Sequence, residues 1–195
     1  MKHSMLKSTA KVILGTAKTM SKDPTRFHLQ LVSVERLEEQ DLCAITATDG
    51  HSLSHIKLKD EGLYKQLEEL QTAQAFLDES ELLLLKAQLT AQNKSDRHAI
   101  KLVFETPAIK KHEVRYPNYK QFIPAFKKDD YHEVGLSIEL LNQLTEAVKS
   151  AHADGKPSIK LCFRKEDVRA PILIYPTNND IGIAEATMVL MPMRV

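Results

Sequence analysis

The chain has no tryptophan, only six glycines and only two cysteines in 195 residues. So few glycines leave little material for a phosphate-cradling loop. No G-x-G-x-x-G follows a strand and no Walker lysine loop is present. Cys43 and Cys162 lie far apart, each inside a strand-like run. They read as reduced, buried thiols of a cytoplasmic protein rather than as a disulfide. No C-x-x-C or H-E-x-x-H marks a metal site. Charge is balanced, 27 Lys and Arg against 26 Asp and Glu for a net +1. Any attraction to nucleic acid must therefore come from local patches. No apolar run approaches the roughly 20 residues that span a bilayer. Lysines interrupt the apolar pattern of the N-terminal MKHSMLKSTAKVILG, unlike a secretory signal. The expectation is a cytoplasmic protein with no membrane partner.

What is present suits a globular core, with 43% hydrophobic residues. Residues 4–21 read as an amphipathic helix, with Leu6, Ala10, Ile13, Leu14, Ala17 and Met20 on one stripe. Lys7, Lys11, Lys18 and Lys22 fall on a stripe beside it. Asp23-Pro24 ends the helix. Three strand-like runs follow, RFHLQLVSV, DLCAITAT and HSLSHIKL. The first two are separated by Glu38-Glu39-Gln40-Asp41. Asp49-Gly50 joins the second and third as a two-residue hairpin signal. Leu63, Leu67 and Leu70 suggest a short helix. ESELLLLKAQL is either a buried strand running into a helix or all helix. AIKLVFE and KHEVRY read as strands. YPNYKQFIP is a connector stiffened by Pro117 and Pro124 and anchored by Tyr116, Tyr119, Phe122 and Ile123. Ser137 can cap a helix reaching about Ala151, and three strands follow, SIKLCFR, APILIYP and IGIAEATMVLMPM. Helix followed by three strands thus occurs at both ends of the chain, a repeat of order rather than of identity. The fold class is α+β.

Asp49, His51, Ser52 and His55 invite a triad or a metal site. On one strand, His51 and His55 would share a face but lie about 13 Å apart at ~3.3 Å per residue. A nucleophilic serine needs a strained elbow such as G-x-S-x-G, which is absent. A structural turn or a binding surface fits better than an enzyme, and no catalytic residue, cofactor or metal is assigned. The lysine stripe is a solvated face or a set of phosphate contacts. Lys110, Lys111, His112, Arg115, Lys120, Lys127 and Lys128 form a second basic region or an ordinary charged loop. The apolar end MVLMPMRV packs on the core or forms a soft groove for a partner's apolar side chains.

Three stretches together resemble the bacterial DNA polymerase III β sliding clamp. ATDGH (47–51) resembles its A-T-D-G-H-R-L. YPNYKQFIP (116–124) resembles its F-P-D-Y-x-x-x-[LI]-P connector. VLMPMRV (189–195) resembles its terminal V-M-P-M-R-L, and the three occur in the family's order. RFHL (26–29) aligns with the strand before the first motif. The resemblance implies a DNA-clamp-like fold, with helices on one face and sheets on the other. It implies a middle-domain-like unit over 1–115, a connector over 116–130 and a C-terminal half-domain over 131–195. It also implies a hydrophobic pocket that receives peptides of Q-L-x-L-F type from polymerases, the clamp loader and repair proteins. Leu29, Thr48, Gly50, His51, Leu53, Pro117, Phe122, Val189, Met191, Pro192, Met193 and Arg194 would line it, with His51 a recognition residue. Lys7, Lys11, Lys18 and Lys22 would face double-stranded DNA through non-specific backbone contacts.

Two departures stand out. Ser52 replaces the family's arginine after D-G-H. The chain is also much shorter than a three-domain clamp, so the first domain and the first half of the last are expected to be missing. The expected function is a processivity factor for replication or repair that tethers partners through the pocket. It could form a homo-oligomeric ring of more, smaller subunits, since symmetric closure requires only complementary ends. The alternative is a non-ring fragment that binds clamp-binding peptides and regulates replication or repair.

Overall fold

The computed structural model describes residues 3–37, 42–91, 98–101, 116–123, 134–150, 158–164, 167, 170–176 and 188–192. The chain divides into two compact units, Met1–Ile123 and Pro124–Val195.

The first unit opens differently from the expected helix over 4–21. Met5–Leu6 is a short strand, β1, and helix α1 spans only Lys7–Thr16. A long-range partner overrides the local pattern. β1 pairs antiparallel with β6 (His98–Ile100), placing Met5 opposite Ile100, and both side chains are fully buried. The Leu6 N–H donates to the Asp60 carboxylate at 2.8 Å, and the same carboxylate caps helix α2 (Glu61–Glu69) by accepting the Leu63 N–H at 3.0 Å. Asp60 thus satisfies two backbone donors that would otherwise be orphaned. After Thr16 the chain tightens into a 3-10 turn over Ala17–Thr19. The buried face of α1 is Thr9, Ala10, Ile13 and Thr16, rotated from the expected stripe, which leaves Leu14 only half-buried.

RFHLQLVSV is not one strand. Pro24–Leu29 forms a 3-10 helix, because the Asp23 carboxylate accepts the Thr25 N–H at 2.9 Å and its hydroxyl at 2.7 Å. An Asp followed by Pro is a strong helix-start signal, and the strand β2 begins only at Val32 and runs to Leu37. β3 (Leu42–Thr48) and β4 (Leu53–Leu58) follow as expected. Thr48 pairs with Leu53, so the connection is the four-residue loop Asp49–Ser52, not a two-residue hairpin. β5 (Gln74–Leu77) has no counterpart among the expected elements. ESELLLLKAQL is all helix, within α3 (Glu79–Ala91). Its start is a capping box. The Asp78 carboxylate accepts the Ser80 and Glu81 N–H groups, and the Glu81 carboxylate accepts the Asp78 N–H at 2.7 Å.

The main sheet has the order β4-β3-β2-β5, every neighbour antiparallel. One face carries the core. Val32 and Val34 of β2, Cys43, Ile45 and Ala47 of β3, and Ala75 and Leu77 of β5 pack with Ala10, Ile13, Leu63, Leu67, Leu82 and Leu85 of the helices. Alternate residues of each strand point to the opposite face. Cys43 is a free, fully buried thiol whose pKa burial pushes up to about 12.

In the second unit, helix α4 (Ile138–Ser150) starts where expected, with Ser137 Oγ accepting the Leu140 N–H at 3.3 Å. The strands β7 (Ile159–Cys162), β8 (Ile172–Pro176) and β9 (Met188–Leu190) form an antiparallel sheet in that order. Ile172, Ile174 and Leu190 make its core, with Leu141, Leu144 and Ile159 packed on them. Cys162 is only partly covered, not buried as expected, and is a free thiol. Much of AIKLVFE and IGIAEATMVLMPM, nearly all of KHEVRY, and the second basic region apart from Lys120 lie outside the described residues.

Gly62 lets α2 meet the N-terminal segment. A Cβ there would stand 1.9 Å from the Ser4 carbonyl oxygen, which is backbone and cannot swing aside. Gly62→Ala should therefore destabilise the first unit by about 1–3 kcal/mol, despite alanine's higher helix propensity. Urea unfolding measures this, and unchanged or raised stability would contradict the close approach.

Candidate functional site

Every residue of β3 from Cys43 to Thr48 is buried, so this strand is covered on both faces. Helices cover one. The other is covered by a strap, residues 116–122, which includes a 3-10 turn over Tyr119–Phe122. The motif YPNYKQF explains why. Tyrosine carries a large apolar ring and a hydroxyl that seeks a partner when buried. The Tyr116 ring packs 5.2 Å from the Phe76 ring, and its hydroxyl lies 3.2 Å from the Thr46 carbonyl and 3.4 Å from that of Leu31. The Tyr119 ring packs 5.4 Å from the His55 ring. Its hydroxyl donates to Glu35 Oε2 at 2.7 Å. Burial drives both phenols to higher pKa, Tyr119 to about 12. His55 meets Thr46 Oγ1 through Nδ1 at 2.9 Å. Burial, with Lys57 nearby, lowers its pKa.

At the end of this face the Asp49–Ser52 loop rises from β3. The Asp49 carboxylate accepts the Ser52 N–H at 2.6 Å, the His51 N–H at 2.8 Å and the Ser52 hydroxyl at 3.0 Å. These bonds, the Ser52 N–H first, hold its pKa down at about 2. Thr48 Oγ1 donates to the Ser52 carbonyl at 2.6 Å and accepts the Gly50 N–H at 3.1 Å. Gly50 has φ +88, and its missing Cβ would stand 3.4 Å from the Arg26 guanidinium and 3.7 Å from Leu29. The glycine thus serves both the left-handed turn and the approach of the Pro24–Leu29 segment. Arg26 Nη1 reaches the Asp49 carbonyl at 3.3 Å.

Loop, 3-10 segment and strap enclose a cleft of about 390 Å³ lined by His28, Leu29, Thr48, Gly50, His51, Ser52, Leu53, Pro117 and Tyr119. Six residues named from the sequence meet here: Leu29, Thr48, Gly50, His51, Leu53 and Pro117. His28, Ser52 and Tyr119 join them without having been expected. Ser52 follows the A-T-D-G-H motif directly and Tyr119 belongs to the connector motif, so both carry a sequence signal. Nothing in the sequence singles out His28.

The other residues of the expected pocket are Phe122, Val189, Met191, Pro192, Met193 and Arg194. Phe122 ends the 3-10 turn, and its side chain lies outside the described residues. Val189 lies in β9 of the second unit and Met191 and Pro192 follow it. Val189 and Met191 are 52% and 58% exposed. Met193 and Arg194 lie outside the described residues.

The lysines do not form one helical stripe. Lys7 and Lys11 stand on α1, Lys18 lies in the 3-10 turn and Lys22 beyond it. Lys18 and Lys22 line a groove of about 1090 Å³ together with Asp78 and Glu79. Their field is therefore partly offset by carboxylates.

Asp49 is engaged with the backbone of its own loop, which fits a turn-holding carboxylate better than a catalytic one. Among the described residues no cluster of three His, Cys, Asp or Glu is placed to hold a metal ion. Among them, too, no helix is long and apolar enough to cross a membrane.

No protein-family model matches the chain, and no curated protein matches its sequence significantly. Solved structures do match, and they define the class: the chain has the fold of the bacterial β sliding clamps. The C. crescentus β sliding clamp, whose structure has polyethylene glycol at a proposed β-motif tethering region, aligns with a TM-score of 0.68 at 15% identity. The alignment covers 98% of this chain and 50% of that one. The DNA polymerase sliding clamp of Bacillus subtilis gives 0.63 at 16% identity, covering 98% and 49%. The DNA polymerase III subunit beta of Pseudomonas aeruginosa gives 0.61 at 15%, covering 98% and 51%. The chain thus spans about half the length of the clamps it matches.

Because the Asp49 pKa is depressed, its stabilisation of the loop is complete above the ordinary Asp value of about 3.9. It is lost as pH falls towards about 2. Asp49→Asn should remove that part of the acid dependence of unfolding. An identical acid profile in both proteins would contradict the three-bond geometry.

Proposed function

We propose that this chain is a clamp-type accessory protein of DNA replication or repair that carries out no chemistry and captures partner peptides in the cleft beside the Asp49–Ser52 loop. The observation that carries this reading is the convergence of Leu29, Thr48, Gly50, His51, Leu53 and Pro117 on one cleft. Three of these, Leu29, Leu53 and Pro117, supply apolar wall, and His51, Thr48 and Ser52 supply polar groups that can orient a peptide. Such a mixture suits a short motif with apolar anchors, of Q-L-x-L-F type. Val189, Met191, Pro192, Met193, Arg194 and Phe122 are proposed for the same role on the resemblance alone.

The cleft is built within the first unit, so peptide capture needs no ring. That favours keeping the non-ring reading, a peptide-binding regulator, beside the ring-forming processivity factor. Association with double-stranded DNA through Lys7, Lys11, Lys18 and Lys22 belongs to the ring reading.

A fluorescent Q-L-x-L-F peptide should bind the protein, and Leu53→Glu should weaken binding at least tenfold by placing a charge in an apolar wall. Equal affinity in the variant would remove the cleft from the proposal. If the lysines contact phosphates, changing Lys7, Lys11 and Lys18 together to Glu should weaken DNA binding. The slope of log affinity against log salt should flatten by about 0.9 for each phosphate no longer neutralised. An unaltered slope would leave those lysines as a solvated face.

A further inference from the structure

Two cleft residues, Pro117 and Tyr119, belong to the strap, and the strap is fastened at a point that is not part of the cleft. Glu35 sits on β2, facing away from the core, with its side chain 16% exposed. Its two carboxylate oxygens receive two consecutive strap residues. Oε2 accepts the Tyr119 hydroxyl at 2.7 Å and Oε1 accepts Lys120 Nζ at 2.6 Å. The Tyr119 N–H also donates to the Pro117 carbonyl at 2.7 Å, so the position of Tyr119 fixes that of Pro117. We propose that Glu35 is a positioning residue for the cleft: it latches the strap to the sheet and so sets the wall that Pro117 and Tyr119 present to a bound peptide.

This rests on the peptide-capture reading for its consequence but not for its geometry. The chemistry favours a latch. Hydrogen bonds to a charged acceptor are about twice as strong as neutral ones, and a partly buried carboxylate strengthens both. Lys120 is 60% exposed, so its ion pair contributes less than the buried phenol does. Glu35 is not among the cleft's lining residues, so any effect on binding must pass through the strap. Gln74, His55 and, across Ala44, Lys57 share this face near the latch. Gln74, opposite Glu35 on β5, donates to Ser33 Oγ at 2.7 Å. His55 meets Thr46 and packs on the Tyr119 ring. The carboxylate that joins Tyr119 to Lys120 is that of Glu35.

The test compares wild type, Glu35→Ala, Glu35→Gln and Leu53→Glu by two readouts. One is the dissociation constant of a Q-L-x-L-F peptide. The other is hydrogen exchange of the amides from Tyr119 to Ile123. Glu35→Ala should raise the dissociation constant about tenfold and speed exchange in the strap. Glu35→Gln keeps an acceptor for the Tyr119 hydroxyl but not the charge, and should recover part of both. Leu53→Glu should lose peptide while strap exchange stays as in wild type. If wild type binds no such peptide, peptide capture fails, and strap exchange still decides the latch. Unchanged exchange and unchanged affinity in Glu35→Ala would overturn it. Loss of both to the same extent in Glu35→Gln and Glu35→Ala would also overturn it, since a shared acceptor would then not matter.

Discussion

The structure of the first unit depends on one constraint: β3 is buried on both faces. A strand so placed needs a cover on each side, and this chain supplies helices on one and a tyrosine-bearing strap on the other. Polar residues of the outer face, Thr46 and Thr48, are then withdrawn from water and must find partners. Thr46 finds His55 and, through its carbonyl, Tyr116. Thr48 closes the Asp49–Ser52 loop. The cleft is what remains where the strap ends and the loop begins. Its shape is a consequence of how the outer face is covered, and one part of its apolar wall, Pro117, belongs to that cover.

The opposite end of the unit is organised by a second carboxylate. Asp60 caps α2 and takes the Leu6 N–H, and Gly62 permits the backbone contact beside it. Together they pull the first residues of an amphipathic pattern out of the helix and into a strand. Two well-covered acids, Asp60 and Glu35, thus each accept from two donors and in doing so hold a chain segment against the unit.

Local chemistry was legible in the sequence where the signal is local. The A-T-D-G-H motif, the strands β3 and β4 and the Ser137 cap could be named from the residues alone, whereas six of the residues that line the cleft were named only through the resemblance to the β clamps. The failures have different causes. The start of α1 was decided by Ile100 and Asp60, far away in sequence. The strand β5 is only four residues, QAFL, and merges by pattern with the leucine-rich helix after it. The Asp78–Glu81 capping box would have separated them. The Pro24–Leu29 turn was hidden by an apolar alternation that reads as strand, although Asp23-Pro24 announces a helix start. The Asp49-Gly50 pair suggested a shorter loop than the one that Asp49 and Thr48 side chains close around Ser52. The lysine stripe required a helix that continues past Thr16, and it does not.

The central claim is that the cleft beside the Asp49–Ser52 loop receives a partner peptide. The most direct measurement is to titrate the isotope-labelled protein with a Q-L-x-L-F peptide and follow the backbone amide resonances by NMR. The account predicts shifts concentrated at His28, Leu29, Thr48 to Leu53 and Tyr119, saturating together. Shifts confined to other surfaces, such as the groove of Lys18, Phe27 and Leu83, or none at saturating peptide, would contradict it.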